Sequence, residues 1–333
     1  MRLKFRAISD EADVGALPAI FREYWPAYRK WIHRSRTMDA GLCVRRLREH
    51  MPELMPTFER LVGRLEGGDE VARFLALYDP PRVIRACSQL VLSDKHGPML
   101  IRSYDHHPRL FDGVVLGSCW NGTATLGIAD CVWGALDGMN DHGCVVALAF
   151  GGRNVEGSGF AAPLVLRYLL EVCESVRDVR AALSRLPVYM PYTFVAVDRS
   201  GEFVTAYMSP DRPPSFVTRR TSTNHQGEVE WADYACHTQS VERLRTVECL
   251  VGAEDGVEAA RRAFLHPPLW RTNYSVGSGT LYVAEYAPAA GFLTLRWPGR
   301  EEVFGLGDST CREFAVELPS AVSREACEEE GRE

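Results

Sequence analysis

The stretch Ala86-Cys87-Ser88-Gln89-Leu90-Val91-Leu92-Ser93-Asp94-Lys95-His96-Gly97-Pro98-Met99-Leu100-Ile101-Arg102-Ser103-Tyr104-Asp105 constrains the fold more than any other. Two runs rich in apolar residues flank a His96-Gly97 turn, which predicts a short antiparallel hairpin. In such a pair the start of the first strand lies beside the end of the second. Cys87 is therefore expected near Arg102 and Asp105, fifteen and eighteen residues further on. A thiol beside a guanidinium and a carboxylate is a candidate nucleophile, because the cation favours thiolate and the carboxylate can orient a donor. Taken alone, a strand cysteine is a small buried apolar residue, so chemistry needs further residues to support it.

With 333 residues, 46% hydrophobic and 25% charged, the chain can bury a large core as one domain or two. A formal net charge of -6 argues against a general binder of nucleic acid or anionic membrane. The basic run Val44-Arg45-Arg46-Leu47-Arg48 is interleaved with apolar residues and reads as a solvated helix face. No apolar run approaches the roughly 20 residues that span a bilayer, and Met1–Asp10 lacks a signal-peptide core, so a cytoplasmic location is expected. The ten cysteines show no CxxC pair, so neither a disulfide framework nor a zinc site is indicated. His106 and His107 are expected to be a surface pair, since adjacent strand side chains point oppositely.

Periodicity divides the chain near residue 86. Residues 1–86 read as helical, with Pro26 interrupting the first helix and Asp79-Pro80-Pro81 stopping the last. This leader is either an ordinary helical layer or a prosegment packed on the remainder. Beyond it come short strands at 113–118 and 123–129, then a turn over 133–143 followed by a buried strand to Phe150. Helices are expected over 161–173, where Arg167 and Glu171 sit together on one face, and over 176–186. A hairpin at 192–208, helices at 237–251 and 256–264, and a last hairpin at 278–297 complete a mixed α and β pattern. The acidic tail from Ser320 is expected to fray.

Several short strings follow the hairpin in a telling order: Gly138-Met139-Asn140-Asp141-His142-Gly143, Thr223-Asn224-His225, Ser240-Val241-Glu242-Arg243 and Gly279-Thr280-Leu281. Together with Cys87 and Arg102-Ser103-Tyr104-Asp105, they resemble the acyl-coenzyme A:6-aminopenicillanic acid acyltransferase family (peptidase family C45). That family lies within the N-terminal nucleophile (Ntn) hydrolases. The resemblance spans roughly residues 87–300. It implies an α+β fold, a four-layer αββα Ntn sandwich preceded by a helical prosegment, with 1–86 as prosegment (α subunit) and 87–333 as catalytic domain (β subunit). Two positions depart from the pattern. Ala86 stands where the best-known member has glycine, and Ala147-Leu148-Ala149 stands where relatives carry an asparagine.

The same resemblance implies that the chain cuts its own Ala86–Cys87 bond, freeing the Cys87 α-amine as general base. An α-amine titrates near ~8 and a thiol near ~8.5, so proton exchange between them is nearly balanced and no histidine is required. Cys87 would then carry an acyl group taken from a linear amide or thioester. Asn224 Nδ2 is implied as oxyanion donor, Asp105 as the group that fixes the α-amine or Arg102, and Arg102 as stabiliser of thiolate or of a substrate carboxylate. Arg243, Tyr104 and His225 are implied as substrate contacts. No cofactor is implied, with a coenzyme A thioester as a conceivable substrate. The expected partners are a small molecule, the cleaved leader and a second copy of the chain. Rival readings are a coenzyme A-dependent N-acyltransferase of secondary metabolism and a silent small-molecule-binding protein.

Overall fold

The computed structural model of the protein describes residues 1–253, 255–274 and 278–319. The leader, read above as helical, opens instead with strand β1 (Arg2–Ser9). Leu3, Phe5 and Ala7 alternate into the core while Lys4 and Arg6 reach Glu313 on the other side. That charge density hides the strand period in the sequence. Four helices follow, α1 (Ala16–Ile32), α2 (Ala40–His50), α3 (Met55–Arg64) and α4 (Gly68–Ala76). α1 runs through Pro26, which lies on an exposed position, and the helix is held by the burial of Leu17, Ile20, Phe21 and Ile32 despite the backbone bond that proline removes. α2 starts where the Asp39 carboxylate accepts from Leu42 N at 3.0 Å.

The hairpin is β2 (Ala86–Asp94) with β3 (Gly97–His106). Lys95 and His96 form the two-residue loop, Asp94 Oδ1 accepts from His96 N at 2.7 Å, and Gly97 adopts φ +114°. Four strands follow, β4 (Val114–Ser118), β5 (Thr125–Asp130), β6 (Gly134–Asn140) and β7 (Cys144–Phe150). The turn expected over 133–143 is mostly strand β6, with turn at Trp133 before it and at residues 141–143 after it. Its two glycines lower strand propensity, and burial between β5 and β7 overrides that.

Helices α5 (Ala162–Val172) and α6 (Val176–Leu183) precede β8 (Tyr192–Asp198), β9 (Phe203–Ser209), β10 (Arg212–Val217) and β11 (Thr221–Ser222). Arg167 and Glu171 of α5 are both buried and paired at 3.3 Å, so their face is not solvated. Then come α7 (Ala232–His237), α8 (Ser240–Leu250), α9 (Gly256–Ala263) and β12 (Thr272–Asn273). The chain continues through β13 (Ser278–Ala287), β14 (Phe292–Trp297), β15 (Arg300–Gly305) and β16 (Arg312–Glu317). The expected terminal hairpin is thus extended by two strands. The tail expected to fray from Ser320 lies outside the described residues.

The strands make a nine-stranded sheet, ordered β10-β9-β8-β7-β6-β5-β4-β1-β16, and a seven-stranded sheet, β11-β2-β3-β13-β14-β15 with β12 on β13. One apolar cluster joins the outer face of the larger sheet to α1–α6, and a second fills the space between the sheets and extends to α8 and α9. The layers are therefore helix, sheet, sheet, helix, the αββα sandwich expected above. β1 lies between β4, in parallel, and β16, antiparallel, so the leader contributes a strand to the larger sheet. Among the described residues, no helix is long and apolar enough to cross a membrane.

Candidate functional site

Cys87 is fully buried and pairs directly with Tyr104, and strand alternation places Cys87, Arg102 and Tyr104 on the face of β2 and β3 that looks at the larger sheet. Arg102 Nη2 donates to Cys87 Sγ at 3.2 Å, while its Nη1 donates to Leu136 O at 2.8 Å, Tyr282 OH at 3.2 Å and Asp137 Oδ2. The carboxylate of Asp137 also accepts the hydroxyls of Tyr282 (2.6 Å) and Tyr286. Leu136 sits in a bulge, skipped between the pairs Ile128 with Asp137 and Ala129 with Ala135, and its carbonyl serves Arg102. Burial pushes the Cys87 thiol up, opposed by the Arg102 charge. Burial also works against the Arg102 cation, but Cys87, Tyr282 and Asp137 outweigh it and hold the guanidinium charged.

The backbone of Cys87 is held from the opposite side. Asn224 Oδ1 accepts from Cys87 N at 2.9 Å and from Arg243 Nη2 at 2.6 Å, while Nδ2 donates to Phe150 O at 3.0 Å and Arg85 O at 3.4 Å. Two donors on one atom and two carbonyls on the other leave a single sensible amide orientation. The amide donor thus lies beside the peptide just upstream of Ala86. Arg243 adds Cys87 O at 2.6 Å, Ser88 Oγ at 2.9 Å and Thr238 O at 2.8 Å, so it is a fully buried clamp on the strand start. Ser240 Oγ accepts from Asn224 N at 2.9 Å. Gly152, at φ +71°, lets the chain after β7 pass Asn224, whose carbonyl oxygen would lie 1.9 Å from an added Cβ. Just after Ala149, the backbone carbonyl of Phe150 meets the Asn224 amide.

Other candidates sit differently from expectation. Asp105 pairs with Ala86 in the ladder, but its carboxylate is on the face away from the thiol and does not hold Arg102. Oδ1 accepts Thr280 Oγ1 at 2.7 Å, Oδ2 lies 3.9 Å from Arg271 Nη1, and Oδ2 has no hydrogen-bond partner among the described residues. The carboxylate serving Arg102 is Asp137, which sequence reasoning missed; a lone acid inside the apolar run Ala135–Met139 was the available signal. Tyr104 stacks on Tyr282 with centroids 5.3 Å apart and lies under the Arg102 guanidinium at 4.9 Å. His225 Nδ1 is engaged by Ser240 Oγ at 2.8 Å, and burial keeps the ring's pKa low. His106 is buried rather than on the surface, because β3 is covered along its whole length.

A cavity of about 630 Å³ opens between α1 and the start of β2, and it reaches Arg85. Inside it Arg85 Nη2 pairs with Asp130 Oδ2 at 2.7 Å, and the Tyr28 hydroxyl donates to Asp112. Burial, with the Asp130 charge next, raises the Asp112 carboxyl to about 7. Unfolded, that carboxyl titrates near ~3.9, so its contribution to stability is full below that pH and is lost as pH rises through about 7. Asp112→Asn, which cannot ionise, is expected to gain about 4 kcal/mol relative to wild type between those limits. Urea midpoints measured across the range would check this; a constant difference would contradict it.

A family model described as acyl-coenzyme A:6-aminopenicillanic acid acyl-transferase matches residues 92–302, well over half of the chain. No curated protein sequence matches it. Among solved structures, a mutant conjugated bile acid hydrolase from Clostridium perfringens is similar with TM-score 0.49 and 12% identity, covering 72% of this chain and 99% of that one. Penicillin V acylase from Agrobacterium tumefaciens gives 0.44 and 12%, covering 65% and 84%. The Caenorhabditis elegans ortholog of N-acylethanolamine-hydrolyzing acid amidase gives 0.43 and 15%, covering 61% and 93%.

Proposed function

Because the chain belongs to the acyl-coenzyme A:6-aminopenicillanic acid acyl-transferase family, whose chemistry is acyl transfer at amide bonds, we propose that Cys87 is its nucleophile and is freed by self-cleavage after Ala86. In self-cleavage Sγ attacks the Ala86 carbonyl, and the peptide C–N bond breaks as the Cys87 nitrogen takes the thiol proton. Water then opens the thioester, leaving a carboxylate on Ala86 and a free α-amine on Cys87. The observation that carries this reading is the double hold on Cys87, with Arg102 on its sulfur and Asn224 on its nitrogen. Asp105 Oδ2, buried beside Ala86 without a hydrogen-bond partner among the described residues, is suited to receive the new ammonium group.

In turnover the α-amine takes the thiol proton as Sγ attacks a small acyl amide. The tetrahedral oxygen takes a hydrogen bond from Asn224 Nδ2, once the Arg85 carbonyl has withdrawn. The amine leaves with the proton, and water or an acceptor amine releases the acyl group from sulfur. Arg243 acts through Asn224 and the strand backbone as a positioning residue, and the cleaved leader stays attached because β1 is built into the larger sheet. Asn224→Ala is expected to lower kcat/KM for an acyl aminomethylcoumarin amide on the order of a hundredfold or more. An unchanged rate in that variant would remove Asn224 from the mechanism. Adding a free amine and following its acylation distinguishes transfer from hydrolysis.

A further inference from the structure

If Cys87 acts as proposed, the first acyl group it carries is the chain's own, the leader ending in Arg82-Val83-Ile84-Arg85-Ala86. The leader side of the cut bond is therefore a built-in guide to the acyl side of a substrate. Arg85 places its guanidinium in the cavity against Asp130, with both side chains largely buried, and its charge lies 5.8 Å over the Tyr104 ring. Asp112 contributes a second buried carboxylate to the same wall. Asp130 becomes a buried carboxylate without a counter-ion when the leader tail withdraws, which is costly, and a cation bound there would also favour the ionised form of Asp112. His106 Nε2, buried and without a hydrogen-bond partner among the described residues, lines the same cavity and is ready for a further polar contact. Lys30, Arg34 and Arg109 also line it, but they are solvent-exposed, where water screens their charge.

We propose that Asp130 and Asp112 form a subsite for a cationic group, an ammonium or guanidinium, on the acyl portion of the substrate, and that Arg85 occupies this subsite in the uncleaved chain. The proposal rests on the Cys87 reading for its link to catalysis, and its first test does not need turnover. In the full chain carrying Cys87→Ala and Arg85→Ala, methylguanidinium is expected to raise the thermal midpoint in a saturable way, and acetamide and acetate are not. Absence of that selective rise overturns the subsite whether or not the protein is an enzyme. The second test uses the processed wild-type protein with the 9-aminononanoyl, decanoyl and sebacoyl amides of aminomethylcoumarin, whose chain ends lie about as many bonds from the scissile carbonyl as the Arg85 guanidinium lies from that of Ala86. The aminononanoyl amide is expected to exceed the decanoyl one on the order of a hundredfold in kcat/KM, with the ratio falling in Asp130→Asn and in Asp112→Asn. Equal rates, or a preference for the sebacoyl amide, contradict the subsite while leaving Cys87 as nucleophile intact. Methylguanidinium binding without turnover of any amide supports the subsite and counts against the catalytic reading.

Discussion

Replacing Cys87 by alanine is expected to leave a folded chain that neither cleaves itself nor turns over any acyl amide. The side chain removed is small and sits in a strand whose register is set by nine paired positions from Ala86–Asp105 to Asp94–Gly97, so the hairpin survives. What disappears is the atom on which both the self-cleaving thioester and the substrate acyl group would form. Loss of a nucleophile costs on the order of a millionfold in rate, which for this enzyme means background. Electrophilic acyl probes should label the wild-type thiol and not the variant. Activity persisting in Cys87→Ala would transfer the chemistry to another residue.

The second large effect concerns stability. Asp137→Asn leaves the fully buried Arg102 guanidinium facing one tyrosine hydroxyl, a carbonyl and a thiol with no counter-charge. Breaking one side of a buried ion pair costs about 3–5 kcal/mol, so the denaturant midpoint should fall steeply. The double variant Asp137→Leu/Arg102→Leu removes both charges and is expected to recover most of that loss without recovering activity. If Asp137→Asn were as stable as wild type, the ion pair would not be what holds Arg102 at the thiol.

Much of this site was legible before the fold was known. The hairpin followed from two apolar runs around a turn, and hairpin geometry alone brings Arg102 to Cys87. Asn224, Ser240 and Arg243 stand out only through their family strings, because 137 residues separate Cys87 from Asn224 and no periodicity reports such a contact. Asp137 escaped because a glycine-flanked acid inside a buried strand looks like a turn, and its role depends on a bulge at Leu136 that the chain does not announce. That Arg102 and Asp105 fall on opposite sides of one strand was legible from their spacing of three, but which of them shares the thiol's side was hidden, since a pairing offset of a single residue exchanges them. β1 was missed for the opposite reason, its charged residues alternating outward on a strand that is otherwise buried. Pro26 misled in turn, since the packing of the buried face of α1 outweighs what a proline costs the helix.

The central claim, that this chain frees Cys87 as a new N-terminus, is tested most directly by intact-mass spectrometry of the purified full-length protein with N-terminal sequencing of its components. The account predicts two polypeptides, residues 1–86 and 87–333, the second beginning Cys-Ser-Gln-Leu and the pair co-purifying because β1 remains in the sheet. A single uncut mass from fully folded wild-type protein would contradict it.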